Sequence, residues 1–348
     1  MGKSDYLTVV IPSYNRPDKV LATLRQLVPQ LVPGVSVTVL DNCSATPYEP
    51  YCTQADPLVA KHVAEGVITF TRHPCNIGMS ANFMRGFENC ESEWMWLVAD
   101  DDEVLENAIG LIASEIRSLE GKKDVAFIKF SSPSCKTSAG AGYVRTLDRL
   151  IDILAVSVPH FDSYIFITNG LYRIPKFKHK VEVGYRYGNT YVPHLIMLLH
   201  YLNDHAGEDV IFLSDKQVAS YVRPERGYSY GFVAGLGVGA FKNFDFNLPK
   251  RQYRRLEGVF AAHDDFKVAL DLFYFCKNRS NMQVARVLVV NYYQQIKAAR
   301  TSVHCMLFRV FCLLFYMPAL MELFVRVIPV LRPETRRHIV EMREKYQN

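Results

Sequence analysis

The chain has 348 residues, of which 49% are hydrophobic and 22% charged, and its formal net charge is +5. This is a globular composition, long enough for two domains, and it excludes a disordered chain. So mild a charge does not argue for nucleic acid, and no zinc-finger or RRM-like pattern occurs.

Leu7–Ile11 is a short β-branched run ending in Pro12, the profile of a buried parallel strand. Ser13, Tyr14, Asn15 and Arg16 read as a loop. Pro17 and Asp18 then open a helix with apolar positions at Val20, Leu21, Leu24, Leu27 and Val28, ended by Pro29, Pro33 and Gly34. Val35–Leu40 is a second strand, running into Asp41, Asn42, Cys43 and Ser44. Val67–Phe70 is a third, followed by Arg72 and the loop HPCNIGM. A helix from about Ser80 to Asn89 leads to the apolar run Trp94–Ala99, which breaks into Asp100, Asp101 and Asp102. Strands alternating with helices predict a parallel sheet of βαβ units.

Three adjacent carboxylates repel one another, and a divalent cation with its preference for hard oxygen ligands removes that penalty. The plain alternative is a solvated turn capping a helix that begins near Glu103. In a parallel sheet the strand ends share one edge, so Asn15, Asp41, Asn76 and Asp102 should converge there. There is no GxxxxGK[ST] loop and no GxGxxG after a strand, which disfavours a P-loop ATPase and a dinucleotide enzyme.

Four blocks, VVIPSYNRPDKVLATLRQL, VTVLDNCSAT, RHPCNIGMSANFMRGFE and WLVADDDEVLENAIGLI, resemble in order and spacing the nucleotide-sugar half of a family 2 glycosyltransferase with the GT-A fold. The resemblance covers about residues 6–118. It implies that Pro12, Tyr14, Asn15 and Arg16 sit under the nucleotide. Asp41 would hold the base or ribose, with Asn42 and Ser44 shaping its loop. Asn76, Gly78 and Asn82 would line the diphosphate and sugar side, and Asp100 and Asp101 would contact ribose and donor sugar. Asp102, with Asp100 as a second candidate ligand, would bind Mg²⁺ or Mn²⁺ bridging the diphosphate.

In the second half, Val125–Phe130 reads as a strand, Ser131–Gly142 as a small-residue loop and Leu147–Val158 as a helix. Tyr164–Thr168 is strand-like and leads into Asn169-Gly170-Leu171-Tyr172-Arg173, similar to the turn beneath the acceptor site in the family. Many relatives carry an acidic pair at the start of the next helix, one member of which is the base for the acceptor hydroxyl. Here that stretch, Tyr187–His200, has no acid. His194, one residue after Pro193, is the polar group at that place and a candidate base, since imidazole titrates near neutrality. A metal ligand or a packed histidine at a helix start are the other readings. Asp162, Asp204, Glu208 and Asp209 are rival bases.

Val210–Leu213 and Val218–Val222 look like a closing strand pair. Arg223 and Arg226 could reach a diphosphate, and the glycine-rich run at 231–239 reads as a hinge or helix-packing site. From about Asp264 the pattern is helical. The most apolar segment is Val303–Leu331, but its charge-free core, Val310–Met321, is only 12 residues between Arg309 and Glu322. Spanning a bilayer takes about 20. A buried helix pair or an interfacial segment is expected, and Lys297, Arg300, Arg332, Arg336, Arg337, Arg343 and Lys345 around it suit an anionic membrane face.

The eight cysteines form no CxxC pair and read as reduced thiols of a cytoplasmic protein. The expectation is an α/β chain, with a GT-A, mostly parallel sheet flanked by helices over residues 1–222 and a mostly helical region over 223–348. It would be a metal-dependent, inverting glycosyltransferase that moves a sugar from a nucleotide-diphosphate donor to a glycan hydroxyl. The acceptor would be a lipid-linked oligosaccharide of O-antigen or capsule type, met at the inner-membrane surface. A receiver-like Mg²⁺ domain is disfavoured because the one comparable lysine, Lys129, lies in a strand continuing as Ser131-Ser132-Pro133. A non-catalytic nucleotide-binding scaffold at the membrane is the alternative that the missing acidic pair keeps open.

Overall fold

The computed structural model describes residues 5–132, 142–155, 164, 166–190, 192–220 and 302–331, with scattered positions between 249 and 293 and at 339–340. Contacts divide the chain into two compact units, Met1–Gly188 with Val192–Arg223, and Asn189–Tyr191 with Pro224–Asn348.

The first unit begins as the sequence pattern predicts. β1 (Leu7–Ser13), α1 (Pro17–Leu27), β2 (Val35–Asp41), β3 (Ile68–Arg72), α4 (Met79–Asn89) and β4 (Trp94–Leu97) follow in order. Two short helices, α2 (Tyr48–Ala55) and α3 (Pro57–Ala64), lie between β2 and β3. Asp56 separates them and caps the second by accepting from the Leu58 and Val59 amides. β5 (Glu103–Val104), α5 (Ala108–Ser118), β6 (Phe127–Ser131), β7 (Gly142–Val144) and α6 (Leu147–Ala155) come next. β8 (Gly170–Arg173), α7 (Ile174–Phe177), α8 (Val181–Arg186), α9 (Pro193–Asp204), β9 (Ile211–Gln217) and β10 (Ala219–Ser220) complete the unit.

Among the described residues, eight strands form one sheet in the order β3-β2-β1-β4-β8-β6-β9-β7. β1 is parallel to both β2 and β4, β2 to β3, and β6 to β9. β8 and β7 run antiparallel to their neighbours. This is the mostly parallel, helix-flanked GT-A architecture. Buried on both faces, the central strands read as continuous apolar runs. Val9, Val37, Trp96, Ile128 and Leu171 pack on one face with Leu24 of α1 and Ile112 of α5. On the other, Tyr172 meets Phe87 of α4 and Phe127 at ring separations of 4.9 and 4.8 Å, and Phe177 meets Tyr201 of α9 at 5.3 Å.

Two expectations change. Ile167–Asn169 is a single 3-10 turn, and the strand starts only at Gly170. The Trp96 indole takes the Thr168 carbonyl at 2.8 Å and the Ala99 amide takes the Thr168 hydroxyl at 3.0 Å, which pulls this segment out of the ladder. Nor are the two strands after residue 210 a pair. β9 joins β6 and β7 in the main sheet, whereas β10 pairs with β5, directly after the triple aspartate. The small-residue loop at 133–141, the end of the expected helix at 156–158, and Arg223, Arg226 and the 231–239 run lie outside the described residues.

In the second unit, α10 (Ser302–Leu314) and α11 (Pro318–Leu331) are consecutive helices joined by a tight turn at Phe315–Met317. The Phe311 and Phe324 rings meet at 5.0 Å. Among the described residues no helix is long and apolar enough to cross a membrane.

Gly170 opens β8 where a Cβ would lie 2.6 Å from the Phe127 ring in the core. Gly170→Ala is expected to destabilise the protein by about 1–3 kcal/mol, read by urea denaturation. Adding Phe127→Leu should recover part of that loss, and a Gly170→Ala protein as stable as the parent would show that the ring moves freely.

Candidate active site

The register of the parallel strands sets the site. Ser13 lies opposite Asp41, and Asp41 opposite Arg72, so three strands end side by side. β4 is in register only up to Leu97 against Val10. Val98, whose amide still bonds to Val10, carries the chain on to the acids at the level of Ser13. The loops after β1, β2, β3 and β4 therefore share one edge, where open α/β sheets bind ligands.

Asp100 is 7% exposed and both its oxygens are engaged. Ser13 Oγ donates to Oδ2, and Arg16 Nη1 donates to Oδ1 at 3.0 Å. The same Arg16 nitrogen reaches Asp101 Oδ2 at 2.9 Å. Tyr48, from α2, binds Ser13 Oγ at 2.9 Å and accepts from the Arg16 amide at 3.0 Å. Burial pushes the Asp100 carboxyl up, opposed by the Ser13 and Arg16 hydrogen bonds.

Asp102 is 8% exposed and has less support. Thr168 Oγ1 donates to its Oδ2. The other oxygen has no hydrogen-bond partner among the described residues. Burial pushes its pKa up to about 6; the Thr168 hydrogen bond opposes this and the charges of Asp101 and Asp100 add to it. Behind the turn, α1 and the residues just after it anchor the chain. Gln26 accepts from the Val104 amide at 2.7 Å, and Gln30 donates to the Leu105 carbonyl at 3.0 Å.

Several residues expected to face the donor also brace the loops. Asn15, at φ +56, takes the left-handed conformation that asparagine tolerates. Its amide donates to Ser44 Oγ and its side chain accepts from the Ala45 amide, both at 2.8 Å. Asp41, 2% exposed, accepts from Arg72 Nη1 at 2.7 Å and from the Ser44 amide at 2.8 Å. Asn42 donates to Asn76 at 2.9 Å and accepts from the Ile77 amide at 2.9 Å. Asn76 also accepts from the Gly78 amide at 2.9 Å, and Gly78 sits at φ +84 with open space around its Cβ position. Asn82 is buried and pairs with His73 at 2.9 Å while donating to the Leu40 carbonyl at 3.3 Å. Pro12 is buried within β1, in register with Leu40. The Tyr14 ring is 44% exposed.

The base candidates separate. His194 is the second residue of α9, 1% exposed, with its ring edge-on to Phe83 at 6.3 Å. Asp204 is the last residue of the same helix, roughly 15 Å away along its axis at 1.5 Å per residue. It is bound to Lys180, which outweighs the upward push of burial and holds its carboxyl below the usual range. Asp209 is bound to Arg145. Asp162 lies outside the described residues. Sequence reasoning passed over Arg72, Ser13, Tyr48 and Thr168. Arg72 alone carried a signal, a cation at a strand end in register with the expected acid.

The raised Asp102 pKa has a definite sign. The folded state binds this proton more tightly than the unfolded chain, so the metal-free protein loses stability as pH rises from about 3.8 to about 6. Asp102→Asn, compared with the parent by thermal denaturation in chelator from pH 4 to 8, is expected to gain up to about 3 kcal/mol above pH 6 and nothing near pH 4. A variant less stable than the parent at pH 7.5 would contradict this.

Among known families, residues 8–135 match "Glycosyl transferase family 2". No curated protein matches the chain. Among solved structures, it is similar to S. aureus TarS 1-349 in complex with UDP-GlcNAc, with a TM-score of 0.52, 17% identity, and coverage of 84% of this chain and 81% of that one. Against the longer S. aureus TarS chain the TM-score is 0.51 at 17% identity, over 85% of this chain and 50% of that one. The mannosyltransferase PcManGT from Pyrobaculum calidifontis, in complex with GDP-Man and Mn2+, gives 0.50 at 13% identity over 99% of this chain and 88% of that one. At these identities the likeness is one of fold, and it agrees with the family match on the segment that carries the four strand ends. Residues 8–135 thus carry the match to glycosyl transferase family 2, and the chain has the GT-A fold.

Proposed function

We propose that the protein transfers a sugar from a nucleotide-diphosphate donor to a glycan hydroxyl in a metal-dependent, inverting displacement. The observation that carries this reading is the edge where Asp41–Arg72, Arg16–Asp100–Asp101 and Asp102 meet. The UDP-GlcNAc bound to TarS and the GDP-Man and Mn2+ bound to PcManGT support a nucleotide sugar as ligand.

In this reading the exposed Tyr14 ring and the half-exposed Arg72 face the base and ribose, with Asp41 holding Arg72 in place. Asn76 and Gly78 border the diphosphate. Arg16 holds the side chains of Asp100 and Asp101, which would turn toward ribose and donor sugar. The donor set fits Mg²⁺ or Mn²⁺, because Asp102 offers a hard oxygen from a dry wall and such ions complete their shells with phosphate and water. Both Asp100 oxygens are taken, so Asp102 is the favoured ligand and Asp100 would serve only on release from Arg16 and Ser13. The bound metal would neutralise charge developing on the leaving diphosphate. His194 would accept the proton of the acceptor hydroxyl. Its place at the start of α9, opposite the end that holds Asp204, favours it over that residue. The acceptor in this reading is a lipid-linked surface-polysaccharide intermediate of O-antigen or capsule type at the cytoplasmic face of the inner membrane.

The test is a thermal-shift panel of UDP, CDP, GDP, dTDP and ADP, each with and without Mn²⁺ or Mg²⁺. One nucleotide should stabilise the parent in a metal-dependent way, by about 2.7 kcal/mol at a hundredfold its Kd, and Asp102→Ala should abolish the metal-dependent part. His194→Ala should keep the nucleotide response and lose transfer. Nucleotide binding without turnover over a broad acceptor panel would instead favour a non-catalytic scaffold. No response to any nucleotide would sink the donor site.

A further inference from the structure

The helices α10 and α11 carry apolar residues on the outside as well as the inside. Phe308, Phe311 and Phe315, with Met321 and Val325 of the second helix, are buried. Val303, Leu307 and Val310 recur at intervals of four and three residues and form one outward stripe; Leu320, Leu323 and Val327 form another. These six are 42–65% exposed. At 100° per residue, Arg326 lies 60° from Leu323 at the border of the second stripe, while Arg309 lies 100° round from Val310, between the exposed Met306 and Leu313 and with its guanidinium over the Tyr293 ring at 5.7 Å; both arginines are exposed. A helix of a soluble domain turns its polar side outward. Here the outward side is aliphatic with one arginine at its rim.

Charge identifies the occupant. Residues 297–348 hold nine Lys or Arg against four Glu, a surplus of five, which equals the formal net charge of the whole chain. The other 296 residues are therefore balanced. A second copy docked on these stripes would bring two such surpluses together. An anionic lipid surface accepts both the aliphatic stripe and the basic excess. The helices have 13 and 14 residues, about 20 Å each, too short for the roughly 30 Å hydrocarbon core.

We propose that the outward stripes of α10 and α11 lie in the plane of an anionic bilayer surface, with Arg309 and Arg326 reaching lipid phosphates as their aliphatic neighbours enter the headgroup boundary. This deepens the lipid-linked acceptor reading and rests on it for its setting, while the surface itself is argued independently of the donor site.

The experiment is flotation of the full chain with phosphatidylcholine vesicles and with 3:1 phosphatidylcholine–phosphatidylglycerol vesicles. The parent should bind the anionic vesicles at least tenfold more tightly than the neutral ones. Val310→Glu with Leu323→Glu should lower that affinity tenfold or more, and the milder Leu307→Gln with Leu320→Gln should lower it in the same direction. Arg309→Gln with Arg326→Gln should weaken binding to the anionic vesicles alone. Nucleotide-induced thermal shifts on the same samples report folding and the donor site. Vesicle binding without a nucleotide response would sustain this inference and remove the donor reading; the reverse would overturn this inference alone. A parent that binds neither vesicle would overturn it. So would one that ignores the glutamates, or a solution dimer that the glutamates dissociate without any vesicle binding.

Discussion

A carboxylate taken out of water at the end of β4 holds the candidate site together. Asp100 is buried, and a buried charge costs several kcal/mol unless it is paired and hydrogen-bonded. Its partners, Ser13 and Arg16, come from the loop after β1, and Tyr48 from the helix after β2 holds both of them. One desolvated group thus fixes three segments of chain. Removing Arg16 would leave that charge facing a lone hydroxyl, which is far costlier than losing a surface ion pair. Asp102, two residues on, is equally dry but has a single hydroxyl donor, and burial raises its proton affinity to a pKa of about 6. Neighbouring carboxylates are thereby sorted into one whose oxygens are both engaged by Ser13 and Arg16 and one that keeps an oxygen for a cation.

The same economy runs along the edge. Asn15, Asn42 and Asn76 use their amides to tie one loop to the next. Asp41 does so through Arg72, whose second nitrogen reaches the Ser44 carbonyl at 2.6 Å. Loops joined in this way keep their shape without a ligand, so binding would not have to order them.

The order of strands and helices in the first third was legible because parallel strands buried on both faces are short apolar runs closed by polar residues. The convergence of Asn15, Asp41, Asn76 and Asp102 followed from topology. Their division of labour did not, because an asparagine that touches a ligand and one that latches a loop are the same letter. Thr168 was unreadable as a partner of Asp102, since 66 residues separate them and β8 announces itself with only four residues. The two short helices between β2 and β3 went unread, because α2 buries only Tyr48 and Cys52 and α3, capped by Asp56, only Val59, too few apolar positions for a period to emerge. In α10 and α11 the periodicity gave helices. Both faces are apolar, so nothing in the pattern said which one packs inward.

The place of β8 in the sheet bears on how the protein is made. It lies between β4 and β6, so the segment matched by the family, residues 8–135, contains both neighbours of a strand that it lacks. As the chain leaves the ribosome, the edge of Trp94–Leu97 stays unpaired until Gly170–Arg173 has emerged, and Thr168 is not yet there to meet Asp102. A nascent chain at that stage presents an apolar ribbon that ends in an Asp102 without its Thr168 hydroxyl, the kind of edge that invites a chaperone or a wrong partner.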